Sequence, residues 1–238
     1  TREVFYFAPV SERAVELDPG YAAAHAALAI VKIEQIRWRI VAPAEWPPLL
    51  DSALGSAKRA LELAPGDPFG FQALHHVQWL NGQVEQSIAL AERAYALNPN
   101  DPQLKADLGF RYGMRADWAR AAPLLQQAYA EDPQLSSIYR SMLMLEHYTA
   151  GRYEQAFAEA RKIDLADFSY THVLLAISYA KLGLRDQASA SVRRALALEP
   201  RLAERVQADL LGRNIHPELV PAILDGLETG GLQIPGRR

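Results

Sequence analysis

Six histidines are the side chains best placed to do chemistry: His25, His75, His76, His147, His172 and His216. A helical zinc site needs two histidines one turn apart with a carboxylate beside them, because that spacing brings both ring nitrogens to one face. No His-x-x-x-His occurs, and the neighbours His75 and His76 are expected to leave a helix on different faces. There is no cysteine, which removes thiolate ligands, disulfides and thiol nucleophiles. No G-x-S-x-G turn, phosphate-binding P-loop or dinucleotide G-x-G-x-x-G is present. Ser136 and Ser137 follow Pro133 and read as a helix N-cap. Glu154 and Glu159 read as carboxylates on a solvated helical face. The expectation is a protein with no metal, no cofactor and no catalytic centre.

The charge balance points the same way. With 25 basic and 28 acidic residues the net charge is −3, so there is no electrostatic footprint for nucleic acid. No apolar run approaches the roughly 20 residues that cross a bilayer, and no signal peptide is visible. A cytoplasmic location is expected. A periplasmic one stays open, because the chain begins at Thr1 and reads as a fragment or a processed form.

Half of the residues are hydrophobic, and they recur in a pattern. Ala60 to Pro65, Ala94 to Pro99 and Ala128 to Pro133 are variants of one phrase, and their prolines stand 34 residues apart. A fixed period of this length marks a repeat array, whose units are too small to bury their own apolar faces. Helical spacing and turn residues predict paired helices: Tyr21 to about Val41 with Leu49 to Leu63, Phe69 to Leu80 with Val84 to Leu97, and Pro102 to Met114 with Asp117 to Ala130. Ser136 to Ala150 then pairs with Tyr153 to about Ile163, in a unit without the closing proline, and Tyr170 to Leu182 pairs with Asp186 to Leu198. Gly82, Gly151 and Gly183 mark tight joints. A helix opened by Ala8-Pro9 precedes them and looks like the second half of a unit. Between Pro19 and Pro65 lie twelve residues more than one period, placed near Trp38 to Pro48; this insertion is either a functional loop or one anchored by Trp38 and Trp46. The array is expected over 1–200 with the insertion at about 38–48, capping helices over 201–230, with Gly226 or Gly230 near the last helix's end, and a tail over 231–238.

Two helices per 34 residues, with small residues where they cross, resemble the tetratricopeptide repeat (TPR). Leu74, Leu108 and Leu175 match that family's first-helix leucine, Gly109 its glycine, and Tyr112 and Tyr179 its tyrosine. Ala53, Ala121 and Ala188 match the crossing alanine, replaced by Ser87 in one unit. Ala60, Ala94, Ala128 and Ala195 match the second alanine, and Pro65, Pro99, Pro133 and Pro200 the closing proline. A weaker resemblance, carried by Asn214 to Glu218 and Ile223 to Leu227, is to the C-terminal repeats of bacterial adenylate cyclases and winged-helix transcriptional regulators.

The TPR resemblance implies an all-α, right-handed superhelical array of about five helix pairs, and a protein-interaction scaffold. Its first helices would line a concave groove. The implied partner-binding residues are Phe69, Gln72, His76 and Trp79, then Phe110, Met114, Arg140, Met144, His147, Tyr148 and Tyr170. The implied partner is a protein or peptide presenting an apolar or amphipathic segment, not a terminal carboxylate. The same residues could instead be core between units. The alternatives are a regulatory segment of a larger bacterial signalling protein and a periplasmic scaffold of envelope machinery. The amphipathic stretch Pro217 to Leu227 either caps the array or lies in the groove. A homodimer through the open end near Thr1 is also compatible.

Overall fold

A computed structural model gives the protein's structure over residues 2–237, with side chains from Ala8 onward. Thr1, where the open end was expected, and Arg238 lie outside the described residues. Every regular element among them is helical. They fall into two compact units, Thr1–Leu104 and Lys105–Arg238.

The first unit holds α1 (Arg2–Leu17), α2 (Ala22–Arg37), α3 (Trp46–Leu63), α4 (Pro68–Leu80) and α5 (Val84–Leu97), and ends within α6 (Pro102–Met114). α1 starts at Arg2 and carries Pro9 inside it, so Ala8-Pro9 does not open the helix. α2 pairs with α3 and α4 with α5, and α4 also packs on α2 and α3. Small residues let the backbones approach: Ala26, Ala29, Ala53, Ala57 and Ala73 are fully buried around Ile33 and Val77. The starts are set by aspartates before prolines. Asp67 accepts from the Phe69 N–H at 3.0 Å, with Pro68 in the first turn. Asp101 does the same for Gln103 (2.8 Å) and Leu104 (3.2 Å) ahead of α6. The insertion is a tied-down loop with a 3₁₀ turn at Pro43–Glu45. Trp38 Nε1 donates to the Glu34 carboxylate at 2.7 Å and Trp46 Nε1 to the Val41 carbonyl at 3.2 Å.

The second unit continues α6 and adds α7 (Trp118–Glu131), α8 (Arg140–Thr149), α9 (Tyr153–Ala160), α10 (Ser169–Lys181), α11 (Arg185–Leu198), α12 (Leu202–Gly212) and α13 (Leu219–Thr229). Gly109 shows why the repeat needs a glycine: a Cβ there would meet Leu125 Cγ at 2.9 Å and the Ala121 carbonyl at 3.2 Å. The irregular unit has short helices, of ten and eight residues, after a 3₁₀ turn at Ser137–Tyr139. Ser136 and Ser137 do not cap it by side chain. Instead the Ser137 hydroxyl donates to the Asp164 carboxylate and accepts from the Asp164 N–H. That bond fastens the end of this unit, where the others have a proline. Glu159 is likewise not solvated: its side chain is 15% exposed and bonded to Arg140 at 2.9 Å.

The C-terminal region departs furthest from expectation. α12 packs on α11. α13 instead packs on α10, and begins at Leu219 because Pro217 and Glu218 form a turn before it. Gly226 is not at its end but buried in its middle, and Gly230 is the C-cap. The stretch after it is not a free tail. Leu232 and Ile234 are buried, and Arg237 pairs with Asp225 and Glu228. So short a stretch is too brief to show periodicity, so sequence pattern misses this docking.

Candidate functional site

The expected binding residues sit on first helices, and the two units treat them differently. In the first unit, Gln72, His76 and Trp79 of α4 are buried, and Phe69 is half-buried. Arg37 of α2 reaches across to His76 Nδ1 at 3.1 Å, while also pairing with Glu34 at 2.6 Å. His75 and His76 do not diverge: their ring centroids lie 4.2 Å apart. The Cβ directions differ, but the rings lie further out and swing together. Ser87, the replacement at the crossing position, is fully buried and donates to the His75 carbonyl at 2.7 Å.

In the second unit, Met114, Met144, Tyr148 and Tyr170 are all buried, and Phe110 is half-buried with its ring edge-on to Tyr139 at 5.7 Å. Much of what covers this face is the chain's own C-terminal segment. Arg213 lies over the Tyr170 ring at 4.6 Å. The Met114 carbonyl accepts from the His216 N–H at 2.7 Å, and Arg115 donates to the Asn214 carbonyl at 3.3 Å. Tyr148 Oη donates to the Ala222 carbonyl of α13 at 3.3 Å. Burial pushes the Tyr148 phenol well above the ordinary range, with Tyr153 and Asp225 adding to it, so the donor proton stays in place. At Gly226 the fit is closest: a Cβ would fall 2.5 Å from Tyr148 Oη and 2.8 Å from Ile177 Cβ. The buried apolar side chains of α13 follow i, i+4 spacing: Leu219, Ile223 and Leu227, with Val220 and Leu224 beside them.

Arg140 and His147 are turned away from this face. Arg140 bridges to Glu159 of α9 and stacks over Tyr129 at 3.9 Å. His147 Nδ1 accepts from Arg152 Nε at 3.0 Å, across the α8–α9 turn. A one-residue error in helical register moves a side chain by about 100°, enough to exchange the inner face for the packed one. Sequence reasoning did not single out Arg213 or Ala222. The readable signal was the amphipathic stretch Pro217 to Leu227, for which the groove was one of two readings; Gly226 was read only as a helix end.

No described helix is long and apolar enough to cross a membrane. No family model matches the chain, and no curated protein matches it. Solved structures do. A chain of the APC/C hetero-tetramer Cut9-Hcn1 aligns over 99% of this chain with a TM-score of 0.68 at 16% identity. The thermophilic TPR protein TTC0263 of Thermus thermophilus aligns over 74%, with a TM-score of 0.53 at 23% identity. Yeast Tom70 aligns over 96%, with a TM-score of 0.51 at 16% identity. The alignments span 44% of the Cut9-Hcn1 chain, 92% of the TTC0263 chain and 48% of the Tom70 chain. The fold is therefore that of a TPR array, all-helical and built from antiparallel pairs.

Proposed function

We propose that this chain is a non-catalytic protein-interaction scaffold whose first-helix face receives an apolar or amphipathic segment of a partner protein. One observation carries the reading: that face already accommodates a helix. α13 lies on α10, with Tyr148 of α8 bonded to its backbone and five large apolar side chains of α13 buried. A surface that holds one amphipathic helix by apolar burial and a backbone contact has the chemistry to hold others. The fold likeness to a chain of the hetero-tetramer Cut9-Hcn1 is in keeping with this role.

Phe110 of the second unit is a half-buried aromatic residue, of the kind that dominates interfaces. Displayed helical peptides selected against the full chain should enrich apolar residues at i, i+3, i+4 and i+7. The folded Phe110→Ala variant should bind the selected peptides at least tenfold more weakly (roughly 1.4 kcal/mol). Absence of enrichment, or unchanged affinity in the variant, overturns the proposal.

A further inference from the structure

The groove over α8 and α10 is not empty, and what fills it specifies what else would fit. α13 is poorly equipped to be a helix on its own. It has eleven residues, no side-chain N-cap bond, Pro221 in its first turn and Gly226 in its middle. Helices this short are marginal in water even with favourable sequences. Its helicity therefore depends on its seat. The link into it turns sharply, with Asn214 at φ 60° and Pro217 two residues before the helix. Its polar ties lie at the edges: Arg213 on Tyr170, Arg115 to Asn214, and Arg237 back to Asp225 and Glu228.

The groove's own contacts are indifferent to most of α13's sequence. Tyr148 bonds a backbone carbonyl, which any helix presents. The sequence-selective elements are the apolar stripe and the close approach at Gly226, where Ile177 and Tyr148 leave no room for a Cβ without movement. A helix carrying that stripe would recover the same burial that expelling α13 gives up.

From this we infer that α13 is a displaceable occupant of the groove, and that the partner is an amphipathic helix with the α13 apolar spacing and glycine at the Gly226 position, which enters by expelling it. The inference rests on the scaffold reading above and names how its site is regulated.

The test uses the full chain and a fluorescent peptide carrying residues 213–231. Gly226→Val should force α13 out while leaving α8 and α10 paired with their neighbours. The peptide should bind this variant at least tenfold more tightly than the unsubstituted chain, and a peptide bearing the same Gly226→Val change should not bind. If the variant instead fails to fold, or folds and leaves the peptide unbound, α13 is fixed core and the inference falls. On the unsubstituted chain, amide hydrogen exchange gives an independent readout. α13 should open more readily than α8 and α10; equal protection in all three overturns displacement. Selected partner peptides that bind without releasing α13 would sink this inference yet leave the scaffold reading standing. Failure of peptide selection would sink the scaffold reading, whatever the α13 peptide does.

Discussion

Glu159 shows how a single side chain can be misread from a helical wheel. It lies on α9, where a sequence pattern assigns it to solvent, yet it joins Arg140 of α8 at 2.9 Å and Lys162 at 2.5 Å. Burial alone would raise its pKa. Hydrogen bonds and charges from Lys162 and Arg140 outweigh that and hold it below the usual carboxylate value. A depressed carboxylate adds stability that is present above its unfolded-state pKa and lost as pH falls through the folded one. Glu159→Gln should therefore cost about 1–2 kcal/mol at neutral pH, and progressively less as the pH falls below the ordinary carboxylate range. Thermal melts across that range would show the variant and the unsubstituted chain converging on acidification; a constant gap would contradict the assignment. Arg140 was expected in the groove, and Glu159 is the reason it is elsewhere. Side-chain partners of this kind lie 19 residues apart in sequence and leave no local trace.

At the scale of elements, the helix pairs were legible because their causes are local. Aspartate-proline starts, alanines at crossings and glycine joints each act within a few residues. Gly82, Gly151 and Gly183 occupy equivalent turns with φ of 72–74°, while the matching turn between α6 and α7 has Ala116 at φ 60°. A Cβ in the left-handed region costs about 1–2 kcal/mol, against a chain-entropy cost of about 0.5–1 kcal/mol for glycine. Ala116→Gly should thus raise stability by roughly 0.5–1 kcal/mol. Chemical denaturation would read this as a higher midpoint at unchanged slope; no gain would mean the turn is relieved in some other way. What was not legible in the elements is placement. The amphipathic pattern of α13 says that one face must be buried, but caps and groove occupants bury the same face, so pattern alone left both open.

For the molecule as a whole, stability rests partly on a segment without repeat character. Leu232 is 2% exposed and Ile234 8% exposed, beyond the last helix. Leu232→Ala should cost about 2–3 kcal/mol, whereas Gln233→Ala, at an exposed position, should stay within about 0.5 kcal/mol. Equal small effects at both sites in thermal melts would return the segment to the status of a tail. The overall architecture was readable from a 34-residue period because stacking like units repeats one solution. The ending was not, because it occurs once.

That segment also limits how the array itself could vary. Arrays usually gain or lose a unit by recombination, since each unit meets only its neighbours. Here one strap touches Met114 of α6, Tyr148 of α8, Ile177 of α10 and Ser189 of α11. It works as a ruler laid across them: a unit added or deleted between α7 and α10 would leave it too short or too long to seat. The number of helix pairs between α6 and α11 is thereby locked to the length of that strap.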